Sequence, residues 1–309
     1  VELNNKYDEK VLCISKQSIF ENNEKLVSLG MRLKKDDPNV FAVLLGDTNL
    51  EYEYKFLSRR EAGDDPEYPV AASDLDYVQV IPYIITIDRK TQNVIMGVRS
   101  DDSTEQRLAG KLALGLGGHI NEGDVDGAKN FSEIILNAAK RELSEELEGF
   151  QYSKIEFYPW FDSEDAKKNF LVFFYDLSEE VSKFHLGVLM LAEIDRDDDS
   201  ELVFAEGKDL IYLFPDFLSE KSLDVDEVLE RMQYSYDKVN LSEEYILGFN
   251  YLKMPSAYDA LELLTSSKYQ VEIEGWTKVA AKILSDLPNQ LENLRYIAKY
   301  NKIIKKLNL

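Results

Sequence analysis

Only one stretch before about residue 210 carries the pattern of a long amphipathic helix, and everything around it reads as strand. Residues 131–148 place Leu136, Ala139, Leu143 and Leu147 at spacings of three and four. On either side run short apolar or alternating segments bounded by Asp, Asn or Gly: KVLCIS (10–15), VFAVLLG (40–46), VQVIPYIITI (78–87), NVIMGV (93–98), KIEFYPWF (154–161), NFLVFFYDL (169–177) and FHLGVLMLAEI (184–194). A strand-rich body crossed by a single helix predicts an α+β core. After about residue 213 the texture changes, and 224–236, 256–267, 272–287 and 291–307 read as helices separated by Pro, Asn and Ser. No repeat of fixed period interrupts this organisation.

Charge narrows the partners. The formal net charge is −22, so duplex nucleic acid is excluded as a non-specific partner, because that binding depends on Lys and Arg displacing condensed counterions. The same charge would repel a phosphorylated small molecule unless cations or a local basic cluster reverse the field in one cleft. From residue 295 onward Arg295, Lys299, Lys302, Lys305 and Lys306 run without an acid. They read as a solvated face, or as a contact with the acidic body or with a second subunit, which leaves a homodimer open.

Cys13 is the sole cysteine and His119 and His185 are the only histidines. An intrachain disulfide and a zinc site built from Cys and His ligands are thereby excluded. The polar N-terminal VELNNKYDEK has no apolar leader core, and no run approaches the about 18 apolar residues of a membrane span. The expectation is a cytoplasmic protein with no membrane partner.

The chemistry-bearing feature is a glycine bend followed by glutamates. Gly117-Gly118-His119-Ile120-Asn121-Glu122-Gly123-Asp124 precedes AAKRELSEELEGF (138–150). On a helix turning about 100° per residue, Glu145 and Glu146 fall within about 60° of Glu142, while Leu136, Leu143 and Leu147 cluster in another direction. Glu142 with Glu145 and with Glu146 makes like-charge pairs at i+3 and i+4, each costing about a few tenths of a kcal/mol, partly offset by Arg141 with Glu145. A cation reverses that penalty, and hard divalent ions take ligands of this kind, a few carboxylates with substrate phosphates. An ordinary solvated acidic face is the bland alternative.

These residues resemble a known signature. Gly118, five residues, Asp124, and then Arg141-Glu142-Leu143-Ser144-Glu145-Glu146 look like the box of the Nudix hydrolases, G-x5-E-x7-R-E-U-x-E-E-x-G-U with U apolar. FLSRREAGDDPEY (56–68), RLAGKLALGLGGHI (107–120), FHLGVLM (184–190) and EIEGWTK (272–278) extend the resemblance to a bacterial branch of predicted Nudix phosphoesterases. The resemblance implies a Nudix fold, a mixed β-sheet sandwich around a central catalytic helix. It implies Mg²⁺ or Mn²⁺ as cofactor, with Gly118, Asp124, Glu142, Glu145 and Glu146 as candidate metal residues and Arg141 orienting them. The implied reaction is hydrolysis of a phosphoanhydride in a nucleoside-diphosphate-linked or related small molecule.

The chain departs from that signature. Asp124 stands where Glu is usual, about nine extra residues separate it from Arg141, and Glu148 takes the place of the closing glycine, with Gly149 next. Starting the box at Gly127 with Glu133 restores the spacing, but Glu133 would lie about 180° from Glu142 on a continuous helix; Asp124 is preferred. A non-catalytic Nudix-like nucleotide sensor or interaction module is the alternative reading. A diphosphate isomerase shares the fold, but its scheme is Cys-assisted and Cys13 lies outside the cleft segments.

Residue by residue, Arg99, Arg107 and Lys111 are the candidates for substrate phosphates because they flank the glycine bend, and Glu206 is the candidate general base. The run 195–206 spaces its acids like a calcium loop, yet Ser200 sits at the turn that needs Gly, and it reads as a solvated acidic tip. GLGGHINEG lacks the immediate helix of a dinucleotide fingerprint. His119 and His185 are expected to be hydrogen-bonded structural residues. The predicted division is 1–75 as an N-terminal β-rich extension packed on the core, 76–212 as the core, 213–269 as a helical insertion, and 270–309 as a closing helix with a basic C-terminal helix.

Overall fold

The computed structural model describes residues 6–19, 41–47, 51–71, 74–89, 93–98, 111–157, 170–176, 181–196, 203–204, 210–212, 274–281 and 283. Its strands are β1 (Lys10–Ser15), β2 (Phe41–Asp47), β3 (Tyr54–Ser58), β4 (Tyr77–Asp88), β5 (Asn93–Val98), β6 (Leu112–Ala113), β7 (Leu147–Glu148), β8 (Phe150–Phe157), β9 (Phe170–Asp176), β10 (His185–Arg196), β11 (Val203–Phe204) and β12 (Leu210–Tyr212). The long helix α1 spans Phe131–Glu146, and a shorter helix covers 275–281. The fold is α+β. The predicted insertion 213–269 and the basic C-terminal helix lie outside the described residues.

β4 and β10 organise the sheet. They pair in parallel over ten registered positions, from His185 with Gln79 to Ile194 with Asp88. Each then changes partner along its other edge: β4 pairs antiparallel with β1 at 77–79 and with β5 at 86–88, and β10 pairs with β9 near its start and with β8 further on. Two twelve-residue strands thus exchange neighbours half-way along their length. The N-terminal segment contributes to this sheet directly, since β1 also pairs with β3.

The gap between β1 and β5 along the other edge of β4 is where the glycine bend enters. Ile84 both donates to and accepts from Leu116, at 2.7 and 2.9 Å. Pro82, two residues earlier, turns its N and C=O to the same edge, so its missing N–H removes no ladder bond to β10. A Cβ on Gly117 would collide with the Pro82 carbonyl, its carbon only 3.0 Å away, and Gly117 sits at φ +149°. Only glycine fits there. Leu12 N–H donates to Ile120 O at 2.8 Å, so the bend is stitched between β4 and β1.

Alternation along β4 separates two cores. Val78, Val80 and Ile84 join Leu186, Val188 and Met190 of β10 and the α1 residues Ile134, Ile135, Ala138, Ala139 and Leu143 in one buried cluster. Three of the four predicted stripe positions, Ala139, Leu143 and Leu147, are buried there, while Leu136 is only partly buried and Ile134 and Ile135 take the deeper places. On the opposite face Tyr83, Phe174 and Trp276 meet edge to face, with centroids 4.9–5.7 Å apart. Trp276 belongs to helix 275–281, so both faces of the sheet are covered at this point.

α1 is capped as its sequence prescribes. Asn130 accepts from Glu133 N–H at 2.9 Å, and Glu133 accepts from Lys129 N–H at 2.8 Å. The helix ends at Glu146, two residues earlier than the pattern predicts, because Leu147 and Glu148 pair with Phe204 and Val203. Gly149 at φ +80° then turns the chain into β8, which begins at Phe150, four residues before the predicted start. No helix among the described residues is long and apolar enough to cross a membrane.

Candidate active site

Arg141 is the hub. Its Nε and Nη2 donate to the two carboxylate oxygens of Asp124 at 3.0 and 2.9 Å, a two-pronged pairing that suits a planar guanidinium. Nη2 also reaches His119 O at 2.7 Å, and Nη1 donates to Glu142 Oε1 at 2.8 Å and Glu145 Oε2 at 2.9 Å. One side chain thus ties together the glycine bend, the acidic turn after it and two helix glutamates.

The extra residues between Asp124 and Arg141 are absorbed without moving the carboxylate. Glu122–Val125 form a single 3₁₀ turn capped by Asn121, whose side chain accepts from Gly123 N–H while Asp124 accepts from Asn121 N–H at 2.9 Å. Asn137 on α1 donates to Asp124 O at 3.0 Å and holds the turn against the helix. Asp124 is 5% exposed with both oxygens engaged, so in this arrangement its carboxylate clamps Arg141. The competing start at Gly127 has no counterpart in the structure, because Glu133 caps the N-terminus of α1, nine residues and about 13 Å of helix rise from Glu142.

Glu142 does not fit the bland alternative of a solvated helix face: it is buried. An added Cβ on Gly118 would lie 2.7 Å from the Glu142 carboxyl carbon and 2.8 Å from Oε1, so the bend closes over this carboxylate only because residue 118 is glycine. Burial raises the Glu142 pKa to about 7; Arg141 opposes the shift, and Glu145 and Asp124 add to it. Burial also works against the charge of Arg141, but hydrogen bonds and ion pairs to Asp124 and Glu142 outweigh it and hold the guanidinium above its usual value.

Glu145 is more than half exposed, and Glu146 is partly buried on the same turn. The three carboxylates share one end of α1, and a guanidinium nitrogen already bridges two of them. A buried carboxylate beside exposed carboxylate oxygens and a glycine bend is a donor set that suits a hard divalent cation once ionised.

Of the other candidates, Lys111 immediately precedes β6 and is partly buried; Arg99, Arg107 and Glu206 lie outside the described residues. Cys13 is buried on β1, and burial pushes its thiol up to about 12, so it supplies no nucleophile. Asp64 was not singled out by sequence reasoning, yet it lies with His119 and His185 in one group whose ligand atoms are all within 4.8 Å of one another. No local spacing pattern announces that group, since its members are 55 and 66 residues apart in the chain.

Comparison with known proteins gives similarity at low identity. No family model matches the chain. It is 27% identical to protein YmaB of Bacillus subtilis over 190 residues, covering 61% of this chain and 77% of that protein. Among solved structures it is similar to Tm1382, described as a candidate Nudix hydrolase, at 19% identity and a TM-score of 0.42 over 90% of this chain and all of that one. It is also similar to a MutT protein from Methanosarcina mazei Go1, at 16% identity and a TM-score of 0.26 over 52% of this chain and 96% of that one. Overlaps this loose add nothing to the geometry of the Arg141 hub.

Proposed function

We propose that this chain is a metal-dependent Nudix-type hydrolase that cleaves a pyrophosphate bond in a nucleoside-diphosphate-linked or related small molecule. One observation carries the reading: despite the altered spacing, Asp124 and Arg141 pair, Arg141 bridges Glu142 and Glu145, and Gly118 lies against Glu142. That arrangement has a chemical purpose that a solvated helix face would not need.

Glu142, Glu145 and Glu146 would hold Mg²⁺ or Mn²⁺. When bound, the ions supply positive charge to a diphosphate and lower the pKa of a water molecule. The protein's own contribution is positioning. Arg141 fixes the rotamers of Glu142 and Glu145 and ties them to the carbonyl of His119. Asp124, buried and doubly bonded, keeps Arg141 charged and immobile. The acidic surface ceases to be an obstacle once cations gather at these carboxylates, because an anionic substrate then meets a locally reversed field.

The deciding assay is a panel of ADP-ribose, dinucleotide, nucleoside triphosphate and prenyl diphosphate substrates with Mg²⁺ or Mn²⁺, run on wild type, Glu145→Gln and Glu146→Gln. Turnover of at least one compound is expected, abolished in both variants while their circular dichroism and melting stay those of wild type. Binding of a nucleotide without any metal-dependent turnover would replace the hydrolase reading with that of a sensor.

A further inference from the structure

The only two histidines of the chain meet. His119, in the glycine bend, and His185, at the start of β10, have ring centroids 5.5 Å apart. Asp64, in the connection after β3, completes a group in which two imidazole nitrogens and a carboxylate oxygen all lie within 4.8 Å of one another. Asp64 is 4% and His185 6% exposed. Two imidazoles with one carboxylate are a recurrent donor set for first-row transition ions, distinct from the all-carboxylate set on α1.

Two further features point to a guest here. His119 Nε2 is buried and has no hydrogen-bond partner among the described residues. Gln79 is fully buried, and neither atom of its amide has a partner among the described residues. Parallel pairing sets Gln79 beside His185 on the same face of the sheet. Buried polar atoms of this kind normally find partners, and leaving them unmade is costly.

Asp64 is already oriented, since Arg59 donates to it from Nε at 2.8 Å and again from Nη2. An outer hydrogen bond of this type is what fixes a ligating carboxylate. Ligand atoms about 3.4 Å apart make the edge of a tetrahedral site with bonds of about 2.1 Å, so closing on an ion asks only for side-chain movements of about 1 Å.

We propose that Asp64, His119 and His185 form a second metal site, for a borderline divalent ion such as Zn²⁺ or Co²⁺, on the face of the sheet opposite α1. The site pins three segments together: the β3–β4 connection, the glycine bend and the head of β10. His119 belongs to both centres, through its ring here and through its carbonyl on Arg141. An ion at this site therefore braces the bend that closes over Glu142. The proposal stands independently of the hydrolase reading.

The test uses the full chain, freed of metal by chelator and titrated with Co²⁺ and with Zn²⁺. The intense ligand-field absorption of a four-coordinate Co²⁺ ion, unlike the weak bands of an ion on the α1 carboxylates, is expected to saturate at one equivalent per chain, with X-ray absorption of the Zn²⁺ form showing two imidazoles; with only two histidines present, that signature identifies the site. His185→Asn is expected to weaken Zn²⁺ binding at least about 100-fold and to abolish the rise in melting temperature that Zn²⁺ gives wild type. Glu145→Gln is expected to leave the imidazole-ligated Zn²⁺ complex and the four-coordinate Co²⁺ absorption unchanged. A wild-type Zn²⁺ or Co²⁺ complex without imidazole ligation, or no complex at micromolar protein, overturns the proposal whether or not any variant folds. Loss of binding in Glu145→Gln with retention in His185→Asn overturns it too.

Discussion

Glu142 occupies the space that a side chain at residue 118 would fill. The clash with a Cβ at Gly118 involves only the far end of a flexible side chain, whereas the clash at Gly117 involves the Pro82 carbonyl. The two adjacent glycines are therefore expected to fail in different ways. Gly118→Ala should melt within a few degrees of wild type yet lose about 100-fold in metal-dependent turnover, because the displaced carboxylate leaves Arg141 and the cation position. Gly117→Ala, with φ +149° and a rigid backbone neighbour, should lose about 2–4 kcal/mol of stability. Melting curves and initial rates on the same two preparations separate the cases.

Removing the hub should cost more than removing any acid it holds. Arg141→Ala strands Asp124, buried beside the helix, and takes one partner from Glu142. Breaking a buried pair from one side typically costs about 3–5 kcal/mol. Arg141→Lys keeps the charge but loses the fork that engages both Asp124 oxygens, and should fall about half-way. Asp124→Asn introduced into Arg141→Ala should restore about 1–2 kcal/mol by removing the uncompensated charge, a coupling that urea denaturation of the four proteins reads directly.

The buried Glu142 gives the metal-free protein an unusual pH response. Its folded pKa, about 7, lies above the ordinary carboxylate value of 4.5. The folded state then binds more protons than the unfolded state between those values, so stability falls as pH rises from about 4.5 to about 7. The loss should be of order 1–3 kcal/mol in the presence of chelator. Glu142→Gln should flatten that slope, and Mn²⁺ should reverse it in wild type by favouring the ionised form. Glu61 acts in a separate window. Its carboxylate accepts from the backbone amide and hydroxyl of Ser58 and from Lys10, which lowers its pKa to about 2, so its contribution is present above pH 4.5 and fades only as pH falls toward 2. Denaturant midpoints at intervals from pH 4 to 8 check both the slope and its removal.

What could be read from the sequence follows from how locally each feature is specified. The long strands announced themselves because β4 and β10 are apolar on both faces, and α1 because its period is set within eighteen residues. The stripe held at Ala139, Leu143 and Leu147 but missed at Leu136, because the sheet above α1, and not the helix alone, decides which side chains go deepest; that is why Ile134 and Ile135 exceed Leu136 in burial. Short strands such as Leu112–Ala113 and Leu147–Glu148 carry no period of their own and exist only because a partner strand passes by. The helix wheel set Glu142 near Glu145, and Arg141 bridges those two, but it could not reveal that the glycine bend covers Glu142, since that contact spans 24 residues and depends on the Pro82 gap. Asp64, His119 and His185 were invisible as a group for the same reason: three segments distant in sequence meet only through the sheet.

Thr277 tests whether helix 275–281 is part of the site's scaffold. Its hydroxyl accepts from Leu114 N–H at 2.8 Å, lies 3.0 Å from the Tyr83 hydroxyl and reaches Leu112 O at 3.4 Å, all within the interior. Leu114 begins the stretch that becomes the glycine bend, and Tyr83 follows Pro82 on β4, so one hydroxyl links helix 275–281 to both walls of the gap. Thr277→Val keeps the shape and deletes that link, leaving the Leu114 amide buried without its acceptor. The expected cost is about 1–3 kcal/mol, with faster hydrogen exchange at the Leu114 amide. Tyr83→Phe leaves the Leu114 bond in place and should cost less than about 1 kcal/mol. Equal, negligible effects of the two substitutions would mean that the helix merely rests on the sheet; a large effect of Thr277→Val alone would mean that it anchors the bend from behind.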